Sequence, residues 1–75
     1  MMKLTETQVS CLSDFHYLYG LDLSNYVAIE RSSRKAITIM TAKLTESDVR
    51  ALERFCSFRK LRIEPNGYKA LVIFI

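Results

Sequence analysis

The sequence predicts an α+β domain built by tandem repetition of an α-β-β unit. Two internal matches and one turn signal carry that expectation. Lys3–Phe15, K-L-T-E-T-Q-V-S-C-L-S-D-F, returns forty positions later as K-L-T-E-S-D-V-R-A-L-E-R-F at Lys43–Phe55. Across residues 3–23 and 43–63, 8 of 21 positions are identical, where average residue usage gives roughly one or two. A second block, I-E-R-S-S-R-K-A-I-T-I at Ile29–Ile39, parallels I-E-P-N-G-Y-K-A-L-V-I at Ile63–Ile73 with an offset of 34. The first copy (about residues 3–42) therefore carries six residues more than the second (about 43–75), placed within Asp22–Val27. Pro65-Asn66-Gly67 marks a hairpin turn, because Pro presets φ and Gly supplies a positive φ.

Each copy opens with a helix start. Thr5 and Thr45 stand as N-caps whose hydroxyls accept from a first-turn N–H, and Gln8 and Asp48, three residues on, answer the cap's own N–H. Leu4 and Leu44 precede the caps as staples toward Val9 and Val49. The first helix is expected over about Glu6–Tyr19, with an apolar face of Val9, Leu12, Phe15, His16 and Tyr19 and Gly20 as its stop. The second is expected over about Glu46–Arg59, with Val49, Leu52, Phe55 and Cys56 inward and Arg50 and Arg54 outward. A pair of strands follows each helix: about Tyr26–Arg31 and Lys35–Ala42 joined at Ser32-Ser33-Arg34, then about Leu61–Glu64 and Tyr68–Ile75 joined at Pro65-Asn66-Gly67.

Two helices and two hairpins predict one four-stranded antiparallel sheet with both helices on one face and the two second strands at its centre. That arrangement resembles a circularly permuted ferredoxin-like sandwich, a likeness of topology that carries no function. Alternation sorts Ile37, Ile39, Leu71, Ile73 and Ile75 onto the helix-covered face. Ala36, Thr38, Met40, Ala70, Val72 and Phe74 fall on the other. A back face showing Met40, Tyr68, Val72 and Phe74 is more apolar than a monomer leaves wet. Either the first helix or the Asp22–Tyr26 loop covers it, or it is a homodimer or partner face; the latter is preferred.

At 75 residues the chain is one small domain with a thin core. A hydrophobic fraction of 49% with only two Gly and one Pro argues against disorder. Cys11 and Cys56 cannot build a disulfide framework and read as buried free thiols of a reducing compartment. The start turns polar at Lys3, Thr5 and Glu6, unlike a secretory signal, and the longest apolar run, Ala70–Ile75, is far short of a membrane span. A cytoplasmic protein without membrane partner is expected.

The chemistry-bearing residues are sparse. His16 is the single histidine and aligns with Cys56 in the second copy, which points to packing before a thiol–imidazole pair. One His and two separated Cys offer no metal site, and Gly20 and Gly67 stand alone, so no phosphate loop exists. Glu30 and Glu64 are repeat-equivalent and are expected to pair with Lys35 and Lys69 rather than to act as a catalytic dyad. Neither enzyme chemistry nor a cofactor is expected.

Charge is the remaining signal. Residues 1–30 hold one lysine against four acids, whereas residues 31–75 hold ten Lys and Arg against four acids. Arg31, Arg34 and Lys35 crowd the first hairpin tip. Arg59, Lys60 and Arg62 crowd the exit of the second helix, where Arg59 and Lys60 also suit the negative end of the helix dipole. Arg50 and Arg54 add a stripe. Such clusters engage an acidic protein or phosphates. The expected function is therefore a small non-enzymatic protein-binding module, an adaptor or inhibitor. It would self-associate through Met40, Tyr68, Val72 and Phe74 and meet an acidic partner through Arg31, Arg34, Lys35, Arg50, Arg54 and Arg62. Nucleic-acid binding through the same cations, with Tyr26 and Tyr68 stacking on bases, is the alternative.

Overall fold

The computed structural model describes residues 4–75; Lys3, where the first repeat begins, lies outside them. Two helices, α1 (Glu6–Tyr19) and α2 (Glu46–Phe58), pack on a three-stranded antiparallel sheet of β1 (Ala36–Met40), β2 (Arg62–Pro65) and β3 (Ala70–Phe74) in the order β1-β3-β2. The class is α+β.

Both helices begin with a complete capping box. Thr5 Oγ1 accepts from Gln8 N–H at 3.1 Å while Thr5 N–H donates to Gln8 Oε1 at 2.9 Å. Thr45 and Asp48 make the same exchange at 3.1 and 3.3 Å. The residues that follow the two helices share a conformation. Gly20 (φ 75°) and Lys60 (φ 59°) both take the left-handed conformation. After α2, Lys60 N–H donates to Ser57 O and Leu61 N–H to Cys56 O, the paired bonds that close a helix through a left-handed residue. Lysine is strained there, and glycine is not. Lys60→Gly is expected to raise stability by about 0.5–1 kcal/mol in urea unfolding; a loss would show that the lysine side chain holds the turn.

The core joins Cys11, Leu12 and Phe15 of α1 and Leu52, Phe55 and Cys56 of α2 to Leu23 and to Ile37, Ile39 and Ile73 of the sheet. Both helices thus lie against the isoleucine face. Phe15 and Phe55 meet edge to face at 5.4 Å, and Tyr19 stacks on Phe15 at 4.8 Å. The face of α1 is rotated from the expected one. Gln8, not Val9, is buried; Val9 is half-exposed, and His16 and Tyr19 are exposed. The cause is polar: Gln8 closes the cap and donates from Nε2 to Ser33 O at 2.6 Å, so burial leaves it satisfied.

The expected fourth strand is absent. Residues 23–31, which include the expected strand, form two short 3-10 turns, Leu23–Tyr26 and Ile29–Arg31, around a single antiparallel bridge of Val27 to Ile39. The four-stranded permuted ferredoxin-like reading gives way to a three-stranded sheet. Side chains take over the missing ladder. Thr38 O accepts from Ala28 N–H at 2.9 Å, and Thr38 N–H donates to Ser32 Oγ at 3.0 Å. Ser32 Oγ donates in turn to Ala28 O, and Thr38 Oγ1 to Arg31 O, both at 2.9 Å. Serine offers the backbone a local alternative to strand pairing, and E-R-S-S-R has no apolar alternation to resist it.

The second hairpin forms with its loop displaced. Pro65 still pairs with Leu71, Asn66 N–H donates to Ala70 O at 2.9 Å, and Gly67, Tyr68 and Lys69 make the turn. Gly67 (φ 78°) and Lys69 (φ 51°) are both left-handed. Tyr68 therefore stands off the sheet, and β3 begins at Ala70.

Candidate functional site

Strand register decides which cations meet. Ala36, Phe74 and Arg62 are lateral neighbours across β1, β3 and β2, and Ile75 N–H donates to Lys35 O at 2.8 Å. Arg34 and Lys35, entering β1, thus share one end of the sheet with Lys60 and Arg62, entering β2. Two residues of each basic cluster of the sequence lie at this end. Arg34, Lys35 and Lys60 are exposed and have no ion-pair partner among the described residues. Arg62 bonds Glu64 at 2.9 Å and lies 4.1 Å above the Phe74 ring, with its side chain still 66% exposed.

Arg31 is not part of this end. Its guanidinium reaches Met40 Sδ at 3.7 Å and donates to Asn66 O at 3.2 Å, which straps the 3-10 segment to the second hairpin. Arg50 and Arg54 are exposed on α2, Arg50 facing Glu46 at 3.9 Å. They border a depression with Tyr19 and Ala51 at the start of α2, away from Lys60.

The back face is less open than alternation implies. Thr38 and Ala70 are buried, the first under the 3-10 segment. Met40, Val72 and Phe74 are half-buried, with Arg31 against Met40 and Arg62 over Phe74. Asn25 and Tyr26 of the Asp22–Tyr26 loop border Met40 beside the 3-10 segment. Tyr68 sits in the turn at the opposite end, with Lys69 Nζ 5.2 Å from its ring. Large apolar side chains are instead exposed on the helices: Tyr17 and Leu18 of α1 and Phe58 of α2, the last at 83%. Arg59 bonds Asp14 at 2.7 Å while Tyr19 borders Ala51, so the helices run antiparallel.

The other titratable residues do not assemble. His16 is exposed on the outer side of α1, whereas Cys56 is fully buried, so the thiol–imidazole pair does not form and His16 has no packing role. Burial raises the Cys56 thiol to about 11, helped by the neighbouring Cys11 thiol and the Glu53 carboxylate. Burial also raises Cys11, against a lowering by Arg59. Cys11 borders a depression of about 410 Å³ with Glu6, Ser10, Arg59, Leu61 and Ile75. A thiol held protonated there is a poor nucleophile at neutral pH. Glu64 pairs with Arg62 rather than Lys69, whereas Glu30 lies in the 3-10 segment beside Met40 and Lys43, so the two carboxylates are not brought together. Among the described residues no group of three or more His, Cys, Asp or Glu is placed to hold a metal. No helix among them is long and apolar enough to cross a membrane.

Sequence reasoning left Lys60 to helix-end duty. Its left-handed turn carries the chain directly from α2 into β2, which sets Lys60 at the same end of the sheet as Arg62. No family model, curated protein or solved structure matches this chain.

Proposed function

We propose that this chain is a small non-enzymatic protein-binding module that meets an acidic partner through Arg34, Lys35, Lys60 and Arg62. The supporting observation is the register that gathers these four cations at one end of the sheet. Three of them lack an ion-pair partner among the described residues. Exposed cations of one sign raise association rates and select for an acidic surface. An adaptor or inhibitor is the role that suits a binding domain of this size. Self-association through Met40, Val72 and Phe74 is disfavoured, because back-to-back copies would bury the Arg31 and Arg62 guanidinia that rest there. The nucleic-acid reading loses its stacking platform, since Tyr26 lies on a 3-10 turn and Tyr68 at the far end of the sheet.

The test is binding to polyglutamate and to mixed-sequence DNA and RNA across a salt series, with an Arg34/Lys35/Arg62→Ala variant alongside. Polyglutamate binding is expected, weakened about 10- to 100-fold in the variant. A variant that binds polyglutamate as well as the parent sinks the proposal. Tighter binding to nucleic acid, with a log–log salt slope of about one per phosphate contact, would put nucleic acid in the partner's place.

A further inference from the structure

The sheet ends on β2, and hydrogen-bond alternation shows which of its backbone groups are unspent. The Asn66–Ala70 bond makes that pair a bonded one, so Glu64–Val72 and Arg62–Phe74 are the next bonded pairs along the ladder. The other side of β3 agrees. Ile75 N–H goes to Lys35 O and Thr41 N–H to Lys69 O, so residues 71, 73 and 75 spend their groups on β1. The N–H and C=O of Ile63 and the C=O of Pro65 therefore point outward. No turn, loop or cap hydrogen bond among the described residues reaches them. Pro65 sits where its missing N–H costs no ladder bond.

An edge with two acceptors and one donor suits a foreign strand better than a second copy. Two copies paired antiparallel about Ile63 make two bonds and stop, because Leu61 N–H, which would have to reach the other copy's Pro65 O, already donates to Cys56 O. An ordinary extended peptide makes three: it accepts from Ile63 N–H and donates to Ile63 O and Pro65 O. The flanking side chains then set its chemistry. Residues paired across a sheet share a face, so the peptide residue opposite Arg62 joins the back face, close to Arg62 at the basic end, and is best acidic. The residue opposite half-buried Ile63 falls on the helix side and is best apolar.

We propose that β2 takes up, as a fourth strand, an extended segment of a protein partner. That segment carries an apolar residue opposite Ile63 and an acidic residue opposite Arg62. The segment's charge rests on the acidic-partner reading above; its strand conformation rests on the edge alone. The test uses two short peptides in which valine alternates with charged residues, glutamate opposite Arg62 and lysine opposite Glu64. One has an ordinary backbone, and the other is N-methylated at the valines, whose amides would face Ile63 and Pro65. Polyglutamate serves as the charge control. The ordinary peptide is expected to bind at least about tenfold more tightly than the methylated one and to slow hydrogen exchange at the Ile63 amide. Equal affinities, or unchanged Ile63 exchange in the complex, overturn strand addition and leave the acidic partner standing. If polyglutamate binds and neither peptide does, strand addition fails in the same way. If none of the three binds, both proposals fall.

Discussion

Phe55→Ala is expected to bring this domain to the edge of unfolding. The Phe55 side chain is 2% exposed and sits at the crossing of the two helices, edge to face with Phe15 at 5.4 Å and with Tyr19 at 6.3 Å. The Arg59 guanidinium lies 5.1 Å from its ring centroid. Truncation removes the transfer energy of the ring and leaves a cavity between two helices and a sheet, about 3–5 kcal/mol in all. A chain of this size holds roughly 4–11 kcal/mol in total. With a urea slope near 1 kcal/mol/M for a small domain, the midpoint should fall by about 3 M or more. Phe58→Ala, one turn on and 83% exposed, serves as the internal control and should move stability by less than about 0.5 kcal/mol. A Phe55→Ala loss no larger than that of Phe58→Ala would mean that the helices do not meet through this ring.

Gln8→Ala is expected to cost about 2 kcal/mol, more than an ordinary cap. Gln8 is fully buried and makes two side-chain bonds: Oε1 accepts from Thr5 N–H, and Nε2 donates to Ser33 O. Loss of the first weakens the start of α1. Loss of the second leaves a part-buried carbonyl unsatisfied, and that desolvation penalty is the larger share. Gln8→Asn, uncharged and one methylene shorter, separates the two effects. It keeps an acceptor for the cap yet is too short to reach Ser33, so urea unfolding should place it between Ala and the parent. Equal stability of Asn and parent would show that the Ser33 bond contributes nothing.

Local chemistry was legible in the chain. Both capping boxes, the left-handed stop at Gly20 and the sorting of Ile37, Ile39 and Ile73 inward follow from residue type and spacing within a few positions, so no distant contact is needed to foresee them. The Pro65-Asn66-Gly67 signal located the second hairpin but not its loop, because Lys69 in a left-handed conformation let the turn slide toward Ala70. The fourth strand was misread because Ser32 bonds its own neighbourhood and Thr38 in place of a ladder. Gln8 was legible as a cap but not as a buried residue, because a polar side chain is buried only where a partner waits, and Ser33 is 25 residues away.

Two helices with their caps, the apolar face of the central strands and the excess of cations in residues 31–75 follow from residue order alone. Tertiary structure alone decided that Arg34 and Lys35 join Lys60 and Arg62, that Arg31 leaves them for Asn66 and Met40, and that Ile63 and Pro65 turn unspent backbone groups outward. The reason is physical. Caps and periodicity are set by interactions within one or two helical turns, whereas these groupings depend on the antiparallel register of β1 and β2 on either side of β3, which no local pattern encodes.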